Sequence, residues 1–285
     1  MDAIIGDDEK RVRFLKSMLR KLGIEAAETN MPPLRLSRVH LTAANPSDVA
    51  SLVDRLQDII TTEGNVTKIV DENDTFILGK DSSDESCSFC SPESDIVDYN
   101  EVPKLLLAHD SRLPSNEETP FFDHKSFYEN LSTRRHRSRS LPSQFGTFML
   151  YGETVTSTNT MLDKSVLLLL LLLCHCLTPA RNPKLLQQLP NGLTFTATTQ
   201  VAGRGRGNNV WISPKGCMIF STVIRHTQEL NITAPVVFIQ YLVGLAVVEG
   251  IRNYAPGYER MPVRLKWPND ICLSPPTRAL LAPSS

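Results

Sequence analysis

The sequence lacks a surplus of charge of either sign. It carries 30 Lys and Arg against 31 Asp and Glu, a formal net charge of -1 at pH 7. No whole-protein field therefore steers it to nucleic acid or to an anionic membrane. It also lacks a secretory start. Met1-Asp2-Ala3 brings no basic region, and acidic residues appear at Asp7 and Asp8. With six cysteines and no signal peptide, the expected setting is reducing and cytoplasmic. A membrane-length apolar run is missing too. Residues 166–177 are almost unbroken apolar sequence with seven consecutive leucines, but a helix of that length reaches about 18 Å where a bilayer core needs about 30 Å. Stable membrane association is not expected. A complete set of metal ligands is also lacking. Cys87 and Cys90 form a C-x-x-C, and the only partner of the right kind is Cys174-His175-Cys176. Structural zinc needs four well-placed ligands, so no metal site is assigned.

What is present is ordinary for a soluble protein of one large or two small domains: 285 residues, 41% apolar and 21% charged. Residues 9–22 read as an amphipathic helix, with Val12, Leu15, Met18, Leu19 and Leu22 at helical spacing and Gly23 as the stop. A short strand is expected over 37–42. Asn45-Pro46 then opens a helix carrying Val49, Leu52, Val53, Leu56 and Ile59, and short strands follow at Thr67–Val70 and Thr75–Leu78. Residues 1–130 thus read as a small α/β region without recognisable chemistry. Within it, 81–96 is an acidic, serine-rich surface loop. Residues 131–143, with Arg134, Arg135, His136, Arg137 and Arg139, read as a basic solvated linker.

An ordered domain is expected from 144 to 273. Thr147–Thr156 alternates as a strand, and a short helix follows over Thr160–Lys164. Leu193–Val201 alternates again, and Met218–Ile224 is a further strand. Ala234–Asn253 is apolar nearly all round and reads as a buried central helix. Val263–Leu265 and Ile271–Leu273 flank Lys266-Trp267-Pro268-Asn269-Asp270, and 274–285 is an irregular tail.

Chemistry concentrates in Gly203-Arg204-Gly205-Arg206-Gly207, between two expected strands. Glycines permit positive φ and close approach to a ligand. Arginines offer planar cationic forks suited to carboxylates and phosphates. Trp211 adds a flat apolar face nearby. The stretch reads as a clamp over an anionic, phosphate-bearing ligand. An RG-type RNA-binding tract is the alternative, but such tracts repeat and lack flanking strands. Ser157, Thr158 and Asn159 stand at a strand-to-helix junction. There they cap the helix, or point polar groups into the crevice at strand C-termini where ligands bind.

Three motifs in this order resemble the catalytic domain of the biotin protein ligase (holocarboxylase synthetase) family: Ser157-Thr158-Asn159, the Gly203-Arg204-Gly205-Arg206 loop with Gln200 and Trp211, and Lys266-Trp267-Pro268-Asn269-Asp270. The resemblance covers roughly residues 144–273. It implies an α+β fold with a mixed β-sheet and helices, of the biotin/lipoate ligase, class II synthetase-like type, incomplete at the C-terminus. It implies formation of biotinyl-5′-adenylate from biotin and ATP with Mg2+, then transfer of biotin to a lysine on the biotin carrier domain of a carboxylase. By the same resemblance Ser157, Thr158, Asn159, Gln200, Gly203 and Arg204 bind biotin. Gly203, Arg204, Gly205, Arg206, Trp211, Lys266, Asn269 and Asp270 bind the adenylate or ATP, and Arg204, Arg206 and Lys266 are the catalytic cations.

The sequence departs from the family in two places. The tail after Leu273 has no counterpart of a further biotin-contacting lysine. Residues 165–181 are an anomalous insertion. Leaving them out brings Asn159 and Gly203 to a spacing that resembles the family's, so they read as translated intron, with a genuine apolar insertion as the alternative. A catalytically impaired, truncated ligase-family fragment and a lipoate ligase-like acyl transferase are the competing functions.

Overall fold

Strand β1, Val39–Ala43, is buried along its whole length. It lies in the middle of a nine-stranded mixed sheet, parallel to β5 (Lys104–Ala108) and antiparallel to β6 (Phe148–Val155). A strand covered on both faces loses the apolar–polar alternation of a half-exposed one. The computed structural model describes residues 8–23, 35–64, 66–71, 74–79, 102–137, 144–162, 183–205, 209–226, 235, 237–267 and 270–273. On one side of β1 the sheet continues through β5 to β4 (Thr75–Gly79), β3 (Val66–Val70) and β2 (Ile60–Glu63). On the other side β6 pairs in parallel with β7 (Thr194–Arg204). The first half of β7 pairs with β9 (Ile219–Thr222) and its last residues with β8 (Val210–Ser213).

Helices cover both faces. On one, α2 (Pro46–Arg55), α4 (Thr158–Leu162) and α5 (Pro183–Gln188) pack Val49, Leu52, Met161, Leu162 and Leu185 onto Leu41, Leu150 and Phe195. On the other, α3 (His124–Arg137) brings Tyr128 against Met149 and Tyr151. α1 (Asp8–Lys21) exposes Val12, Phe14, Leu15 and Met18. A second two-stranded sheet, β10 (Val263–Lys266) and β11 (Asp270–Leu273), packs beside α6 (Val237–Arg252).

The α+β class with a mixed sheet is observed, and several expectations change. The stretch expected to be a linker is helical as far as Arg137. Its arginines are engaged: Arg135 Nη2 donates to the Phe145 carbonyl at 2.8 Å and Thr147 Oγ1 at 2.9 Å, and Arg134 Nη2 donates to the Asn253 carbonyl at 2.9 Å. Through β1–β6 pairing, strands from before residue 131 and after residue 143 share one sheet. The helix expected to be buried and central, α6, instead exposes Phe238, Leu242, Val243 and Leu245. Among the described residues its close packing lies along a strip where Gly244 meets Leu265 and where Val248 and Val263 are buried. The acidic loop 81–96 with Cys87 and Cys90, the run 165–181 with Cys174 and Cys176, and the tail 274–285 lie outside the described residues.

Candidate active site

The parallel strands β6 and β7 end side by side. The Ala202 amide donates to the Thr156 carbonyl at 2.8 Å, holding the two exits together. The chain turns from β6 directly into α4. Ser157 Oγ accepts the Thr160 amide at 3.1 Å, which caps the helix as its residue type favours. Ser157, Thr158 and Gln200 are all buried, at 1%, 2% and 8% exposure. The Thr158 amide donates to Gln200 Oε1 at 3.0 Å, and Thr158 Oγ1 lies 2.9 Å from Ser221 Oγ on β9. This bonded pairing explains how polar groups tolerate so deep a position.

The glycines act by shape. Neither Gly203 nor Gly205 has a positive φ, contrary to the expected use of left-handed backbone. A Cβ on Gly203 would overlap Gln200 Nε2 and stand 2.8 Å from Gln200 Cδ and 3.0 Å from the Trp211 carbonyl oxygen. A Cβ on Gly205 would stand 2.6 Å from Trp211 Nε1 and 2.9 Å from Asn209 Cβ. Between Gln200 and Gly203 the β7–β8 register shifts at a bulge, and Gly203 then faces Trp211 and Arg204 faces Val210. Bulges re-aim side chains beside sites. Here the strand end presents Arg204 and the Trp211 ring, 62% exposed, next to the buried cluster.

The sequence-derived site is therefore brought together in part. Ser157, Thr158, Gln200, Gly203, Arg204, Gly205 and Trp211 share the ends of β6, β7 and β8. Asn159 is exposed on α4 rather than inside the cluster. Lys266 and Asp270 are cross-strand neighbours at the tip of the β10–β11 hairpin, both exposed and in the separate small sheet. Trp267 at the same tip lies against Tyr241, ring centroids 5.3 Å apart. Arg206 and Asn269 lie outside the described residues. Ser221 was missed: a lone serine in a short strand carries no sequence signal until β9 is known to pair with β7.

The opposite face of the sheet holds a second polar cluster that sequence gave no reason to group. His40 Nδ1 and His109 Nε2 are 2.9 Å apart, and Thr42 Oγ1 lies 3.3 Å from His124 Nδ1 and 3.0 Å from the Tyr128 hydroxyl. Burial, then the neighbouring His109, pulls His40 down to about 4. Burial, then His40 and His109, pulls His124 down to about 3. Burial also raises both Tyr128 and Tyr151 above their ordinary range. Tyr151 remains hydrogen-bonded to Thr198 on β7, at 2.6 Å.

Fold and site together define an α+β protein whose parallel strand ends carry a buried hydroxyl–amide cluster beside an exposed arginine and tryptophan. Residues 178–275 match the Biotin/lipoate A/B protein ligase family, a span that includes the Gly203–Gly207 loop and Lys266–Asp270 but not Ser157–Asn159. The chain is 34% identical over 172 residues to the biotin–protein ligase of Schizosaccharomyces pombe, covering 60% of this chain and 23% of that protein. It is 31% identical over 148 residues to the biotin–protein ligase of Homo sapiens, covering 51% of this chain and 18% of that one. It is 28% identical over 207 residues to biotin–protein ligase 2 of Arabidopsis thaliana, covering 67% and 54%. Its matched segments are thus similar to the biotin/lipoate protein ligase family and to biotin–protein ligases. It spans between about a fifth and about a half of the length of these relatives. Among the described residues no helix is long and apolar enough to cross a membrane.

Proposed function

We propose that the chain binds biotin and ATP and forms biotinyl-5′-adenylate, the activated donor for biotin transfer to a lysine of a carboxylase's biotin carrier domain. The reading is supported above all by one observation: Ser157, Thr158 and Gln200 are buried and bonded at the ends of β6 and β7, directly beside Gly203 and Arg204. A bicyclic urea needs donors and an acceptor in a dry pocket, and hydroxyl and amide groups of this kind supply both.

In the first half-reaction a biotin carboxylate oxygen attacks the α-phosphorus of ATP, and the bond to the pyrophosphate oxygen breaks. Negative charge builds on the α-phosphate oxygens, and fixed cations there stabilise it more than water does. Arg204, Arg206 and Lys266 are assigned that role, with Asn269 and Asp270 orienting Lys266 or the nucleotide. Trp211 is assigned to the adenine. In the second half-reaction the acceptor lysine's amine attacks the acyl carbon and AMP leaves. Both nucleophiles belong to the substrates, so no side chain of this chain needs to form a covalent intermediate. Among the described residues no three His, Cys, Asp or Glu side chains are grouped as a protein-held metal site requires. Mg2+, when bound, neutralises phosphate charge and takes most of its ligands from the nucleotide and water. No step here is routed through it.

A second reading is favoured by the exposed faces of α6 and by the exposed Lys266. In it the chain retains biotin affinity but is catalytically impaired. Biotin-dependent exchange of labelled pyrophosphate into ATP separates the two, since it reports the first half-reaction without an acceptor protein. Exchange above the biotin-free control is the expected result for a ligase. Biotin binding by calorimetry without exchange establishes the impaired form. Neither binding nor exchange in a folded sample refutes both. A cytoplasmic location is part of the same proposal.

A further inference from the structure

Two of the catalytic cations proposed above, Arg204 and Lys266, stand on different sheets. Arg204 is on the nine-stranded sheet and Lys266 is on the small β10–β11 sheet. A reaction that needs both at one phosphate needs something to fix their separation. The basic stretch at the end of α3 has no part in the proposed chemistry, yet its arginines reach in two directions. Arg135 donates to the Phe145 carbonyl at 2.8 Å and to Thr147 Oγ1 at 2.9 Å, which ties α3 to the entry of β6. Its neighbour Arg134 donates to the Asn253 carbonyl at 2.9 Å, just beyond the end of α6.

That acceptor is held in place. The Asn253 amide donates to the Glu249 carbonyl at 3.0 Å, and Asn253 Nδ2 donates to Glu249 Oε1 at 2.6 Å. The carbonyl ends of a helix also carry partial negative charge, so a cation is favoured there. One residue earlier, Arg252 Nη2 donates to the Val263 carbonyl at 2.8 Å. Val263 is buried and opens β10, the strand that ends at Lys266. A continuous series of bonds thus runs from the entry of β6 through α3 and the end of α6 to the strand that carries Lys266.

We propose that Arg134 is a positioning residue, which fixes the pose of the Lys266 hairpin against the sheet that carries Ser157, Gln200 and Arg204. Its meaning for catalysis rests on the ligase reading, but the pose itself is a property of the unliganded chain. Arg134 is exposed, so its replacement leaves the core intact.

Two free cysteines make the pose measurable. Cys217 lies between β8 and β9 and Cys272 in β11, and both are exposed. In the full chain, with Cys87, Cys90, Cys174 and Cys176 replaced by serine, spin labels on Cys217 and Cys272 report the distance between the two sheets. No biotin or ATP is needed, so the outcome is independent of whether the chain is a ligase. The unsubstituted chain is expected to give one narrow distance distribution. Arg134→Ala is expected to broaden it, with the docked distance losing roughly tenfold in preference, as loss of a charge-assisted hydrogen bond implies. Arg134→Lys keeps a cationic donor and is expected to restore the narrow distribution. His136→Ala, exposed on the same helix, is expected to leave it unchanged. The proposal is overturned by an Arg134→Ala distribution as narrow as the parent's. It is equally overturned by a Lys variant as broad as the Ala variant, or by a His136→Ala variant as broad as either.

Discussion

Gly203→Ala adds one methyl group where the structure has no room for it. The new Cβ would overlap Gln200 Nε2 and stand 2.8 Å from Gln200 Cδ and 3.0 Å from the Trp211 carbonyl. The carbonyl belongs to the β7–β8 ladder and cannot retreat without breaking the Gly203–Trp211 register, so the Gln200 side chain must move. Moving it withdraws Oε1 from the Thr158 amide, now 3.0 Å away, in a residue only 2% exposed. A buried amide left without its acceptor costs about 1–3 kcal/mol. In a folded unit of 150–250 residues each kcal/mol lowers Tm by about 2–4 °C. Two assays read the effect: thermal unfolding of the free chain, and biotin affinity by calorimetry. Both are expected to fall together, because the same amide anchors the fold and shapes the proposed pocket. The decisive comparison is a double-mutant cycle with Gln200→Ala. If the clash with Gln200 is the cause, Gly203→Ala costs far less in the Gln200→Ala background. Equal costs in both backgrounds would falsify the mechanism.

Two further perturbations test the framework around the site. Lys104 Nζ on β5 pairs with Asp74 Oδ1 at 2.6 Å, with side chains 4% and 7% exposed. Lys104→Ala leaves a buried carboxylate without its lysine and is expected to cost about 3–5 kcal/mol in urea unfolding. The Lys104→Met, Asp74→Leu double variant is expected to recover most of that, and a double variant no better than the single one would show the pair is not the origin of the loss. Acid stability tests the histidine layer. An unfolded chain protonates its histidines near pH 6.5, whereas folded His40 and His124 are pulled down to about 4 and about 3. Between those limits the unfolded state binds more protons. Their contribution is therefore intact above about pH 6.5 and is lost as pH falls towards 4 and 3, at up to about 1.4 kcal/mol per pH unit for each ring. His124→Gln is expected to flatten the decline in urea midpoint between pH 6.5 and pH 4.5; an unchanged slope would mean His124 does not titrate with unfolding.

The parts of the fold legible in sequence are those whose periodicity follows from one local environment. α2, with Pro46 at its first turn and Val49 and Leu52 on one face, is such a case. So is β7, whose Phe195 and Ala197 face the core while the intervening threonines do not. Lys104–Ala108 is a different case. Its strand is buried on both faces and begins with a lysine, and that lysine is paired by Asp74, which stands just before β4. α3 was hidden for a related reason. Its arginines read as solvent-seeking charge, while in the structure they satisfy carbonyls more than a hundred residues away or at the neighbouring β6 entry. Apolar content misled in the opposite direction at α6. A helix apolar on all sides signals burial only if enough surface exists to bury it, and among the described residues the small β10–β11 sheet covers one strip of it.

The site was legible as residue types and illegible as geometry. The glycines of Gly203–Gly207 were expected to supply left-handed backbone, yet Gly203 and Gly205 owe their identity to the closeness of Gln200, Trp211 and Asn209. That difference changes what the motif means. A positive φ would be a property of the loop alone, and grafting the loop would carry it along. Close packing is a relation between β7, β8 and the turn into α4, so the motif holds its shape only inside this sheet. The sheet in turn includes β1 and β5, from before residue 131, and is braced by the Asp71 carboxylate, which accepts the Leu185 amide at the start of α5 at 2.9 Å. Residues without chemistry of their own are thereby part of what keeps Gln200 aimed at Thr158.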